Sequence, residues 1–157
     1  MANLIKEALR GIKGVEVRYD LSFRDLTTIK VGGPIGATLF VKEVESLHRL
    51  MERLEDHSIP WLVLGKGSNL LASDRGFDGV VLILTGQMTS FRRDGTKLVA
   101  GAGLGLKRLM GTLIREGISG LEFLVGIPGT VGGAVAVNAG AFGKEIKDVL
   151  TQVELLS

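Results

Sequence analysis

The run Gly126-Ile127-Pro128-Gly129-Thr130-Val131-Gly132-Gly133-Ala134-Val135-Ala136-Val137-Asn138-Ala139-Gly140-Ala141 is built almost wholly from small or apolar residues, with Thr130 and Asn138 as its polar members. A core of large interlocking side chains cannot form along such a stretch. Its backbone must either press against another backbone or leave a shallow slot on which a flat ring can lie. Two shorter clusters make the same demand, Gly65-Lys66-Gly67-Ser68-Asn69-Leu70 and Gly101-Ala102-Gly103-Leu104-Gly105. In all, 23 of 157 residues are glycine, about twice the usual share. Only 3 prolines accompany them and no triplet period links them, which excludes collagen. An apolar content of 45 % with 23 % charged residues excludes a disordered tail.

The remaining totals narrow the function classes. A net charge of +2, with basic residues clustered only as the pairs Arg92-Arg93 and Lys107-Arg108, argues against a nucleic-acid partner. The absence of cysteine removes disulfides, thiolate chemistry and thiolate zinc sites, and fits a reducing cytoplasm. No apolar run approaches the roughly 18 residues of a membrane span. The opening MANLIKEALRGIKGVEV mixes charges into its apolar positions and does not read as a signal peptide. A soluble cytoplasmic protein without a membrane partner is the expectation.

Along the chain, a helix is expected at 3–12, a strand at 38–41, a helix at 43–57 and a strand at 61–64. That strand–helix–strand unit runs straight into the Gly65 cluster, and ligands of open sheets bind at the carboxyl ends of strands. A strand at 79–84 completes a first subdomain, 1–84. The second, 85–157, begins with a hairpin around Asp94-Gly95. A helix follows at 106–115, with Leu106, Leu109, Met110, Leu113 and Ile114 inward. Residues 149–156 alternate like a strand that ends without a turn or cap, so the domain is expected to be cut short at its carboxyl end.

Of the glycine clusters, 65–70 suits an anion: glycines admit positive φ, so successive N–H groups can converge, with Ser68 and Asn69 adding short donors. It is not a Walker A loop, because Lys66 precedes Gly67 rather than Ser or Thr. The cluster 101–105 lacks the third glycine of a dinucleotide fingerprint and follows a hairpin strand, so a sharp bend is expected there. His48 and His57 lie nine residues apart, the wrong offset for one helix face, and no metal site is expected. Glu122 is expected to accept backbone N–H groups. No Ser-His-Asp set or carboxylate pair is present, so a ligand site without catalytic residues is foreseen.

At these residues the chain resembles the UDP-N-acetylenolpyruvoylglucosamine reductases, the MurB family of peptidoglycan precursor synthesis. Four segments carry the likeness in order: TTIKVGGP, LGKGSNLLASDRGFDGVV, AGAGLGLKRL and GLEFLVGIPGTVGGAVAVNAGAFGKEIKDVL. It spans nearly the whole chain and about the amino-terminal half of a typical member, with the string Gly-Thr-Val-Gly-Gly-Ala pointing to the type II branch.

The resemblance implies an α+β fold, the vanillyl-alcohol-oxidase/PCMH-type FAD-binding domain of two α+β subdomains with the flavin between them. It implies FAD contacts from Gly65, Lys66, Gly67, Ser68, Asn69 and Leu70 to the pyrophosphate. It further implies contacts from Gly126, Ile127, Pro128, Gly129, Thr130, Gly132, Gly133, Asn138, Ala139 and Gly140 to the flavin ring and ribityl chain. In the family, NADPH reduces the flavin, which passes hydride to the enolpyruvyl group of UDP-N-acetylglucosamine enolpyruvate. The family's serine, arginine and glutamate lie beyond this chain's last residue and are not carried over. The chain is therefore expected to be the cofactor-binding part of such an enzyme, completed by self-association or by a companion carboxyl-terminal fragment. The alternative is a stand-alone, inactive flavin-binding module. Phe142 stands where members often have tyrosine.

Overall fold

The computed structural model describes residues 2–156, which divide into two compact units, Met1–Met88 and Thr89–Ser157. The first contains α1 (Ala2–Ala8), β1 (Val15–Arg18), α2 (Phe23–Leu26), β2 (Ile35–Val41), α3 (Val44–Asp56), β3 (Trp61–Val63) and β4 (Phe77–Leu84). The predicted helix at 3–12 stops early, since Gly11 and Gly14 take φ of 80° and 69°, left-handed values that a helix cannot continue through. The short strand β1, not foreseen, comes from the alternation of half-buried Val15 and Val17 with exposed Glu16 and Arg18.

The sheet order is β1-β2-β4-β3. Strand β1 runs antiparallel to β2, while β2 and β3 both run parallel to β4. The unit β2-α3-β3 thus leaves a gap that β4 fills. On one face Ala37, Leu39, Val41, Val80 and Leu82 meet Ile5 and Ala8 of α1 and Leu47, Leu50 and Leu54 of α3. Each leucine so buried contributes about 1.5–3 kcal/mol. On the other face Phe23, Ile35, Leu64 and Val81 form a smaller cluster, against which Leu26, Leu70 and Ala72 pack from the loops. That second face is covered by the segments the glycines shape.

The second unit contains β5 (Phe91–Asp94), β6 (Lys97–Ala100), α4 (Leu106–Arg115), α5 (Val131–Ala136), β7 (Gly140–Ala141) and β8 (Lys144–Glu145). Strands β5 and β6 pair from Phe91↔Ala100 to Asp94↔Lys97, so the turn is Gly95-Thr96, one residue beyond the predicted centre. Gly95 has φ 61°, which suits a turn with glycine at its first central position. Helix α4 has the predicted bounds and buries Leu106, Leu109, Met110 and Leu113. These pack with Leu104, Phe123, Leu124, Ala134 and Ile146. Ile114, expected inward, is exposed, because it lies one residue past Leu113 and so about 100° around the helix from it. The strand expected at 149–156 does not form: residues 151–156 are exposed and belong to no element.

Candidate functional site

Pairing of the first unit's sheet extends one residue past β3, where the Leu64 amide donates to the Leu82 carbonyl at 2.9 Å. The chain then turns through Gly65, Lys66, Gly67, Ser68 and Asn69. Gly67 is buried with φ 60°. A Cβ there would lie 2.5 Å from the Leu26 carbonyl oxygen and 2.8 Å from Thr27 Cα, so only glycine fits without moving backbone. The Thr28 amide donates to the Gly67 carbonyl at 3.1 Å, and the Thr28 hydroxyl approaches the same oxygen at 3.4 Å. Thr28 therefore positions the turn, a role that its place in TTIKVGGP does not disclose. Its signal is only the adjacent pair Thr27-Thr28.

With its carbonyl side pinned, the turn leaves donors over. Among the described residues, the amides of Gly65, Lys66, Gly67 and Asn69 make no backbone hydrogen bond. Lys66 and Asn69 are exposed, while Ser68 and Leu70 are half-buried. Unspent N–H groups on a glycine turn beside a lysine are a donor set that fits a phosphate-bearing group. Just after the turn in the chain, an open hollow of about 520 Å3 is lined by Leu71, Ala72, Ser73 and Asp74 together with Val31.

In the second unit, the long small-residue run divides in two. Along 129–132 its backbone lies beside the 101–105 bend. Leu106 N–H donates to Gly129 at 3.0 Å, and Val131 N–H and Gly132 N–H donate to Leu104 and Ala102, each at 2.8 Å. A Cβ on Gly132 would approach the Ala102 Cβ to 2.8 Å. Here the glycines permit backbone-to-backbone packing. Thr130 is buried, and its hydroxyl accepts the Gly133 amide at 3.2 Å, capping the six-residue helix α5.

By contrast Gly126, with φ 84°, faces open space. Among the described residues the amides of Gly126 and Gly129 make no backbone hydrogen bond, while half-buried Ile127 donates to Leu124 at 3.2 Å. Exposed Pro128 lies between them.

The last stretch serves the β7–β8 ribbon. Asn138 has φ 48°, and its Oδ1 accepts the Lys147 amide at 3.2 Å. The Ala139 amide donates to Ala134 at 2.8 Å, and its carbonyl accepts Ile146 at 2.9 Å. Gly140 pairs with Glu145, and the Lys144 carbonyl fills the space a side chain would need. At the ribbon's tip Phe142 and Gly143 have φ 55° and 78°, and the phenyl ring is 93 % exposed.

Four carboxyls among the described residues are displaced from their ordinary values, all of them downward. Both Glu122 carboxylate oxygens accept the Gly120 amide at 2.9 Å, a donor from the preceding turn rather than from the 126–141 loop from which it was expected, and this bond holds the carboxyl below its ordinary value. The ammonium of Lys147, then Asn138, lowers Glu145 in the same way. Asp20 and Asp25 are likewise lowered, by Arg18 and Ser22 respectively. Every carboxyl displaced from its usual value is thus more firmly ionised, the opposite of what a general acid near neutrality needs. Among the described residues no group of three or more His, Asp or Glu side chains could hold a metal ion. His48 faces Glu52 at 3.5 Å and His57 Nδ1 lies 2.8 Å from the Arg53 carbonyl. No described helix is long and apolar enough to cross a membrane.

Residues 35–157 match the family described as the FAD binding domain. UDP-N-acetylenolpyruvoylglucosamine reductase of Halalkalibacterium halodurans is 39 % identical over 150 residues, which are 96 % of this chain and 50 % of that protein. The same-named protein of Syntrophus aciditrophicus is 41 % identical, covering 98 % of this chain and 50 % of its own length. The crystal structure of UDP-N-acetylenolpyruvylglucosamine reductase (MurB) from Thermus caldophilus superposes with a TM-score of 0.70 at 41 % identity, over 85 % of this chain and 46 % of that one. p-Cresol methylhydroxylase, at 12 % identity and a TM-score of 0.53 over 74 % of this chain and 25 % of that one, shares the fold alone. The chain spans about half the length of the curated relatives it matches. With glycine turns that leave amides free in both units and this match over most of its length, the chain belongs to the FAD binding domain family.

Proposed function

We propose that this chain is the FAD-binding part of a UDP-N-acetylenolpyruvoylglucosamine reductase acting in the cytoplasm on peptidoglycan precursors. The observation that carries the reading is the identity of 37–41 % to eight reductases of that name over at least 94 % of the chain. When bound, FAD would supply two-electron redox chemistry linking NADPH to the enolpyruvyl group of UDP-N-acetylglucosamine enolpyruvate. The residues of this chain bind and orient. The free amides of Gly65, Lys66, Gly67 and Asn69, with the Lys66 ammonium and the Ser68 hydroxyl, would hold the pyrophosphate. Leu70 would close that turn from below. The segment Gly126–Gly133 would lie along the flavin, with Gly126 and Gly129 offering N–H groups. Asn138, Ala139 and Gly140 would fix the ribbon beside it.

No proton donor for the reduced substrate stands among the residues assigned here to the flavin, and one would come from a companion carboxyl-terminal half. The same observation supports the second reading, a flavin-binding module without turnover. Purifying the chain, releasing its cofactor and identifying it by chromatography tests the binding. NADPH oxidation with and without UDP-N-acetylglucosamine enolpyruvate then separates the two readings. A colourless protein that FAD does not stabilise against unfolding would refute both.

A further inference from the structure

Helix α4 carries its charge at the wrong end. Its first turn holds Lys107 and Arg108 and no acid, behind Gly105, which offers no side-chain cap. Cations there oppose the positive end of the helix dipole. Midway along, Gly111 weakens the helix, yet a Cβ at that position would meet nothing within 4 Å. No contact inside the chain therefore asks for glycine. One turn on, Ile114 is 67 % exposed. At about 100° per residue, Ile114, Lys107, Gly111, Arg115 and Arg108 follow one another around the side opposite the buried leucines. Among the described residues these three cations are in no ion pair. Local rules broken together on one exposed face mark a surface shaped by something other than the helix's own stability.

Helix α3 breaks the dipole rule with the opposite sign. Glu52, Glu55 and Asp56 stand in its carboxyl-terminal part, where acids are disfavoured. Glu45 and His48 lie on the same exposed side, with Val44, 44 % exposed, at the amino end. Glu45 holds Arg49 at 2.9 Å and Glu52 faces His48 at 3.5 Å. Among the described residues Glu55 and Asp56 are in no ion pair.

Laid antiparallel, the two faces match in order. The stretches 107–115 and 45–52 each span about two helical turns, roughly 10–12 Å. Lys107 then meets Glu52, Arg115 meets Glu45 and Ile114 meets Val44. Arg108 comes to Glu55 and Asp56, and His48 falls opposite Gly111, where the missing side chain leaves room. Pairing α4 with another α4 would instead bring cations to cations.

We propose that α4 of one copy docks antiparallel on α3 of a second copy of this chain. Charges misplaced on each helix alone are complementary in the pair, and the two dipoles run in opposite directions. The contact joins unlike surfaces, and one helix pair buries too little for a permanent dimer. Association is therefore weak and salt-sensitive. Neither glycine turn takes part, so the docking stands or falls independently of FAD binding.

Sedimentation velocity of the purified chain tests it. At roughly 0.01 M salt, where charges act over about 30 Å, the sedimentation coefficient should rise with protein concentration. Near 1 M salt, where they act over about 3 Å, the rise should vanish. Lys107→Glu with Arg108→Glu leaves both helices acidic, and Glu52→Lys with Glu55→Lys leaves both basic. Each double variant alone should associate at least tenfold more weakly than wild type, with FAD content unchanged. An equimolar mixture of the two should associate again, because each supplies the charge the other lost. Gly111→Leu fills the notch while favouring the helix, so it should weaken association and keep the helical circular dichroism. A wild type that stays monomeric at low salt would overturn the proposal and leave the α4 face to a different acidic partner. So would a mixture that associates no better than its components, or G111L associating like wild type.

Discussion

Replacing Gly67 by alanine separates two costs that a glycine turn usually mixes. Gly67 and Gly11 lie in the same unit and both have left-handed φ, 60° and 80°. A Cβ at Gly11 meets nothing within 4 Å, whereas at Gly67 it falls 2.5 Å from the Leu26 carbonyl oxygen and 2.8 Å from Thr27 Cα. Gly11→Ala therefore carries only the backbone penalty of about 1–2 kcal/mol. Gly67→Ala adds overpacking against immovable backbone, about 1–3 kcal/mol more, and disturbs the Thr28 hydrogen bond at 3.1 Å.

The sole tryptophan, Trp61, sits on β3 of that unit, so its fluorescence in urea reads both variants of the flavin-free protein. With a slope of about 1–3 kcal/mol per molar urea, the extra loss moves the midpoint of Gly67→Ala about 1 M below that of Gly11→Ala. The turn would also lose its register, and FAD affinity should fall at least tenfold in Gly67→Ala and stay unchanged in Gly11→Ala. Equal midpoints would refute the close approach of the 65–70 turn to Leu26 and Thr27, and with it the reason for glycine there.

The Thr38 hydroxyl is buried in the sheet with no hydrogen-bond partner, so Thr38→Val should stabilise the first unit by about 1 kcal/mol, read by the same urea curve. Phe142 and Gly143 occupy the two positive-φ positions of a two-residue hairpin, a place that favours Asn-Gly. Phe142→Asn should accordingly slow hydrogen exchange of the Ile146 amide, which closes the ribbon on Ala139. The Glu122 carboxyl is lowered by the Gly120 amide, so its contribution to stability is present above the unfolded value and lost as pH falls through the folded one. Carbon-13 titration should place Glu122 below its ordinary 4.5, and Glu122→Gln should flatten that part of the acid limb. A Glu122 midpoint at or above 4.5 would contradict the hydrogen bonds to Gly120.

How far the sequence discloses this molecule depends on the range of the interaction. The bounds of helix α4 are legible because Leu106, Leu109, Met110 and Leu113 repeat at helical spacing between Gly105 and Gly117, though Ile114 turns outward. The Asp94-Gly95 signal finds the hairpin and misses its centre by one residue, since register is decided by pairing across the ribbon. Strand β1 escapes notice because four residues of alternation are too few to stand out until Val41 and Leu39 pair with them. The run 126–140 announces close approach without naming the neighbour. That Gly132 yields to Ala102 while Gly126 faces open space is a matter of tertiary contact. Residues 149–156 err the other way, for their pattern is that of a strand, yet among the described residues 151–156 make no backbone hydrogen bond.

The position of β4 between β2 and β3 also sets a timetable for biosynthesis. Neither β2 nor β3 can find a parallel neighbour until residues 77–84 have been made, because β4 alone pairs with both on that side. At roughly 5–20 residues per second, about 1–4 s separate completion of β3 from completion of β4. During that interval the edges of β2 and β3 that β4 will join stay unpaired, and Leu62, on the face away from α1 and α3, lacks Val81 and Phe77 to pack against. The β1–β2 antiparallel pair and helices α1 and α3, all made by then, can shelter the other edge and one face of β2 meanwhile. Nascent chains paused between β3 and β4 should therefore recruit holding chaperones, and the arrival of a single strand should release them.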